Sequence, residues 1–137
     1  EEEVDLGKQI AIVEAAIEQG VDAIIISASS SECIIPAIEQ AREDGIKIVS
    51  FDTRIDDPSL VDVYVGADDF AGAKKAGEYI CAALGAEGGQ VGLLEGLLAQ
   101  STGVDRKGGF EEGIAECEKP DDIVATAGAE WRSDLAM

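Results

Sequence analysis

Apolar residues recur at helical spacing through Leu6, Ile10, Val13 and Ile17, and Gly20 closes the segment, so the chain opens on a predicted helix. From Val21 to Ser27 the pattern becomes a nearly continuous apolar run centred on Ala23-Ile24-Ile25-Ile26. It is β-branched and too short for a helix, which predicts a strand buried on both faces. The alternation then repeats. Ser30 or Ser31 can cap a helix with an inner face of Ile34, Ala37, Ile38 and Ala41, ending at Gly45, with Pro36 about one turn in, where proline is tolerated. Ile46 to Phe51 supplies a second strand, a polar loop runs through Pro58, and Val61 to Val65 supplies a third strand. A helix from about Phe70 to Leu84, a strand at Val91 to Leu94, a helix from about Thr102 to Cys117 and a strand at Ile123 to Thr126 complete the series.

Helices alternating with apolar strands predict an α/β architecture of parallel sheets flanked by helices. Such sheets carry their ligand sites at the carboxyl ends of the strands. The polar residues there are Ser27, Asp52 with Thr53 and Arg54, Asp68 with Asp69, the stretch Glu95 to Arg106, and the segment around Glu130-Trp131. Both ends read as cut. A sheet of this kind rarely opens with an unpaired helix, and Ser133 to Met137 reads as a helix that stops after about a turn. The expectation is an internal piece of a longer protein, beginning after any targeting segment or mid-chain, whose open strand edges and apolar faces make it self-associate.

Composition sharpens this picture. The 137 residues are 46% hydrophobic but only 4% aromatic, which suits helices packed on a parallel sheet better than a sandwich and is enough to build a core. A net charge of −19 argues against nucleic acid, because phosphate contacts draw their affinity from Lys and Arg, and makes an anionic membrane surface unfavourable. The sequence has no apolar run long enough to span a membrane and no recognisable signal peptide.

Histidine is absent, and Cys33, Cys81 and Cys117 lie far apart without C-x-x-C spacing, so neither a metal site nor a bound cofactor is expected. Cys33 and Cys81 fall within predicted helices and read as small core residues, and the odd count argues against a full disulfide framework. Without histidine, Ser-His and Cys-His nucleophile pairs are impossible, and no phosphate-binding glycine loop follows a strand. Paired carboxylates are inevitable by chance among 29 acidic residues. Binding is therefore expected rather than catalysis.

Three side chains stand out for binding. Asp52 directly follows a strand, so its carboxylate can project over the sheet edge and accept hydrogen bonds from vicinal hydroxyls, although a plain turn aspartate is the competing reading. Arg106 lies in the first turn of a predicted helix, against the helix dipole, which asks for another partner to hold it; otherwise it is a solvated surface arginine. Trp131, the single tryptophan, can stack on the apolar face of a pyranose or serve as an ordinary core or lid aromatic.

Four runs in order, Gly20 to Ser27, Gly45 to Asp52, Val65 to Gly72 and Asp105 to Phe110, together resemble the periplasmic sugar-binding proteins of the ribose-binding type. The resemblance spans essentially the entire chain and implies two Rossmann-like lobes of the type 1 periplasmic-binding-protein fold, both incomplete here. It implies that residues 1–66 belong to the first lobe and 67–137 to the second, with the crossing near Gly66, Ala67, Asp68 and Asp69 as hinge. The family aspartate that holds sugar hydroxyls falls on Asp52, the oxygen-binding arginine on Arg106 and the stacking aromatic on Trp131. Ser27, Leu97 and Ala67 fall on other pocket-facing positions. Ribose binders carry arginine directly after that aspartate, whereas Thr53 stands here with Arg54 one place later, so the resemblance leaves the sugar open. The implied partners are a monosaccharide or polyol and the membrane permease of an ABC importer, and the implied location is periplasmic or a cell-surface lipoprotein. The competing reading is the effector domain of a lactose-repressor-type regulator, which shares the fold. Against it, Leu84 to Val91 resembles the transport proteins, since repressors usually place a basic, histidine-containing turn there. An enzyme or response-regulator domain of flavodoxin type is a third possibility.

Overall fold

The computed structural model describes residues 5–117 and 122–136. They fall into two compact units: residues 5–67 with 99–101, and residues 68–98 with 102–117 and 122–136.

The first unit opens with α1 (Leu6–Glu18), β1 (Ala23–Ile26), α2 (Ile35–Glu43), β2 (Lys47–Phe51) and β3 (Val63–Val65), with a short 3-10 turn over Pro58–Leu60 before β3. Asp5 caps α1 by accepting from the Lys8 N–H at 2.9 Å, and Gly20, at φ 67°, ends it while its N–H donates to the Ile17 carbonyl. The three strands form a parallel sheet in the order β1-β2-β3, with Ile24 opposite Ile48 and Phe51 opposite Val65. Val13 of α1 and Ala37, Ile38 and Ala41 of α2 share one buried cluster with Ile26 and Ile48 of the sheet. Each fully buried isoleucine there contributes about 1.5–3 kcal/mol relative to exposure.

The sequence predicts β1 buried on both faces, and the structure corrects this. Ile26 is buried, but its neighbour Ile25 is 71% exposed, and Val63 and Val65 are also exposed. The helices of this unit share one buried cluster with one face of the sheet, and successive side chains point to opposite faces, so the other face stays open among the described residues. α2 begins at Ile35, with Pro36 at its second position; before it, residues 31–34 form a turn in which Ser30 Oγ accepts from the Cys33 N–H. Cys33 is consequently exposed on that turn, not a core residue of a helix.

The second unit contains α3 (Asp69–Leu84), β4 (Gln90–Glu95), nearly all of α4 (Ser101–Ala115) and β5 (Asp122–Gly128), with a short 3-10 turn over Gly85–Glu87. Asp68 caps α3 by accepting from the Ala71 N–H at 2.9 Å, and β4 pairs parallel with β5. α3 and α4 pack closely through small residues: a Cβ at Gly77 would lie 2.6 Å from the Phe110 carbonyl oxygen. That proximity brings Cys81 and Cys117 to a Cα separation of 5.9 Å, where they form a disulfide. Cys81 is thus a cross-link between α3 and the segment after α4 rather than a simple core thiol. Ser133 to Leu135 form a turn and not the start of a longer helix within the described residues.

Candidate functional site

In the first unit, Asp52 follows the last residue of β2, at the carboxyl end of the sheet. Its backbone is left-handed, φ 60°, a conformation that aspartate tolerates better than most residues. Two hydrogen bonds hold it there: its N–H donates to the Val65 carbonyl at 3.0 Å, and its own carbonyl accepts from Tyr64 Oη at 2.8 Å. The side chain is exposed, and its carboxylate makes no hydrogen bond or ion pair among the described residues. An ionised carboxylate in this position offers acceptors only, the complement of a hydroxylated ligand.

The residues around it divide into rim and wall. Thr53 is fully buried; its carbonyl accepts from Ser50 Oγ at 2.9 Å, and its own Oγ1 has no partner among the described residues. The Arg54 N–H donates to Ser101 Oγ at 2.8 Å, and the Ser101 N–H donates in turn to Ser31 Oγ at 2.9 Å. Ser27, just past β1, is half-buried and lines an apolar groove of about 340 Å³ with Ile12, Ile25 and Phe51. Its carbonyl accepts from Gln9 Nε2 at 2.9 Å. Gly66 and Ala67 follow β3 and are exposed, and the boundary between the two units falls between Ala67 and Asp68.

In the second unit the structure brings together Asp69, Arg106 and Trp131. Arg106 is the sixth residue of α4, which begins at Ser101, so it lies past the first turn and the helix dipole says little about it. What holds it is visible: Nε donates to Asp69 Oδ1 at 2.7 Å, and the guanidinium sits 5.4 Å from the centroid of the Trp131 ring. The Asp69 side chain is only 8% exposed and that of Arg106 49%, so one charge is enclosed and the other still faces solvent. Glu130 and Trp131 both take positive φ, 49° and 61°, which turns the chain after β5. The Trp131 ring lies against Gly96, where any Cβ would collide with it. Leu97 is half-buried beside this glycine.

Lys107, next to Arg106, pairs with Glu95 at the end of β4, whose side chain is 10% exposed. The hydrogen bond from Lys107 to Glu95 raises the ammonium above its ordinary value and ties the carboxyl end of β4 to α4. Sequence reasoning missed three parts of this arrangement. Asp69 is not merely part of a crossing segment but the partner of Arg106; Tyr64 holds the backbone of Asp52; and Gly96 provides the floor for Trp131. A polar-tipped aromatic two residues before Gly66 in a short strand was the one local signal for the second of these.

The whole chain, residues 1–137, matches the family described as periplasmic binding protein domain. It is 34% identical to the D-ribose/D-allose-binding protein of Pseudomonas aeruginosa over 119 residues, 82% of this chain and 37% of that protein. It is 36% identical to the ribose import binding protein of Bacillus subtilis, over 77% of this chain and 34% of that protein. The chain therefore spans about a third of the length of these curated relatives. Among solved structures, an ABC transporter periplasmic solute binding protein of Actinobacillus succinogenes with bound D-allose superposes with a TM-score of 0.82 at 33% identity, covering 99% of this chain and 49% of that one. The Caulobacter myo-inositol binding protein gives 0.88 at 25% identity, covering 97% and 45%.

Proposed function

From the premise that the chain belongs to the periplasmic binding protein family, in its ribose-binding type, we propose that the protein binds a monosaccharide or similar polyol outside the cytoplasm and delivers it to the permease of an ABC importer. The observation that carries this reading is the exposed, unpartnered carboxylate of Asp52 at the carboxyl end of a parallel strand. It supplies acceptors for vicinal hydroxyls, while Arg106 supplies N–H donors for ring and hydroxyl oxygens and Trp131 an apolar face for the ring. Charge-assisted hydrogen bonds of this kind are about twice as strong as neutral ones, which suits a ligand that is itself a ring of hydroxyls. Ser27 and Leu97 serve as further contacts. Thr53, fully enclosed, fits a wall behind Asp52 better than the rim. In this proposal residues 1–66 and 67–137 are parts of two lobes with Gly66 to Asp69 as their hinge, and the ligand is bound and released unchanged. Periplasmic solution or a lipid-anchored cell surface are the two places where such a receptor works.

A thermal-shift panel of pentoses, hexoses and polyols on the complete gene product tests the reading. Stabilisation by at least one member, rising with its concentration, supports it. No shift with any of D-ribose, D-allose, other aldoses or myo-inositol would overturn it.

A further inference from the structure

We propose that Tyr64 is a positioning residue that sets the backbone of Asp52, and with it the aim of the ligand-binding carboxylate, through a contact that only a glycine at position 66 permits. The inference rests on the reading of Asp52 as a sugar ligand. Tyr64 stands in the middle of β3, opposite Ser50, yet its side chain reaches past the strand end. Its hydroxyl donates to the Asp52 carbonyl at 2.8 Å, and its ring end lies over Gly66, where a Cβ would collide with Oη and Cζ. The residue so held takes φ 60°, and among the described residues the other backbone bond on it, from its N–H to the Val65 carbonyl, comes from the same strand as Tyr64. A left-handed non-glycine residue persists only where its surroundings over-determine it. Here β3 supplies both restraints. Losing the tyrosine hydroxyl leaves one restraint and lets residue 52 relax toward right-handed or extended backbone, which swings the carboxylate away.

Tyr64→Phe, Tyr64→Ala, Gly66→Ala and the double variant Tyr64→Ala/Gly66→Ala of the complete gene product test this, with Asp52→Asn as reference. The first readout needs no ligand: Cα and Cβ chemical shifts and the HN–Hα coupling of residue 52 report its φ. The second is calorimetry with D-allose and D-ribose. Tyr64→Phe is expected to move the residue-52 signals away from the left-handed values and to weaken binding about three- to tenfold, the range for one lost neutral hydrogen bond. Gly66→Ala, which pushes the ring aside, is expected to do the same alone and to add nothing in the Tyr64→Ala background. A hinge role for Gly66 would instead give the same loss in both backgrounds. Unchanged residue-52 signals in Tyr64→Phe overturn the proposal, as does a Gly66→Ala effect that persists without the tyrosine. Unchanged affinity in Asp52→Asn, or no binding to any member of the pentose, hexose and polyol panel, counts against the sugar reading instead, and the residue-52 signals then still decide the role of Tyr64.

Discussion

The two charged candidates are held in opposite ways. Asp52 is fixed through its backbone and its side chain is left unengaged, whereas Arg106 is fixed through its side chain, already paired with a nearly enclosed Asp69 and lying over Trp131. A ligand hydroxyl that bonds Asp52 has no protein partner to displace among the described residues. A ligand oxygen that bonds Arg106 must share the guanidinium with Asp69, which is feasible because the fork has five donors and Nε uses one. The comparison teaches where mutations separate binding from folding. At Asp52 the two are separable; at Arg106 they are not, since removing the arginine strands an enclosed carboxylate.

The largest expected effect falls on the support of the arginine half. The bond between Cys81 and Cys117 closes a loop of 36 residues across α3 and α4, so reducing it is expected to destabilise the second unit by about 3–4 kcal/mol. The first unit should keep its own protection in hydrogen exchange, and uniform loss across both units would show that the disulfide acts on the whole chain. Thiol titration should find Cys33 alone reactive among the three before reduction.

Arg106→Ala comes next and is expected to lower both quantities, ligand affinity by about 1.5–3 kcal/mol and stability by about 1–3 kcal/mol, the latter from the stranded Asp69. Calorimetry and denaturant titration measure the two separately, and an effect on affinity alone would break the proposed asymmetry. Gly96→Ala is smaller: displacing the Trp131 ring should cost about 0.5–1.5 kcal/mol of affinity, with a change in tryptophan emission.

The smallest effect concerns acid. The Asp62 carboxylate is held below its ordinary range first by the Ile48 N–H, at 2.8 Å, and also by Arg42, at 2.5 Å. A carboxyl depressed in the folded state stabilises above its unfolded value and loses that contribution as pH falls through the folded one. Asp62→Asn should therefore flatten the acid limb of the stability curve without touching neutral-pH ligand affinity, and an unchanged acid limb would show that the carboxylate contributes nothing.

The alternation of helices and apolar runs was enough to place the α-helices and strands of the described residues, because period and flanking glycines are local signals, though not the two 3-10 turns or the turn at Ser133 to Leu135. Ends moved where local chemistry intervened, as at β3, where the Val61 N–H still bonds the Pro58 carbonyl and the strand begins at Val63. What the pattern could not show was coverage: an isoleucine run such as Ala23 to Ile26 reads the same whether one face or two are packed, and only tertiary structure shows Ile25 open. Asp52 stood out as a strand-end candidate and Trp131 as the single tryptophan after a strand, whereas the helix-dipole signal that singled out Arg106 does not apply to the sixth residue of α4. Their partners were not, since Tyr64, Asp69 and Gly96 are distant in sequence or ordinary in type. The pairing of Cys81 with Cys117 was hidden for the same reason, resting on the close helix packing that Gly77 allows.

The central claim is that Asp52 is a ligand group and not a structural one. Asp52→Asn in the complete gene product, followed by calorimetry with the best sugar of the panel and by thermal denaturation, tests it most directly. The account predicts an affinity loss of about tenfold or more, the scale of a hydrogen bond to a charged group, at an unchanged melting temperature. Unchanged affinity, or a loss of affinity matched by an equal loss of stability, would contradict it.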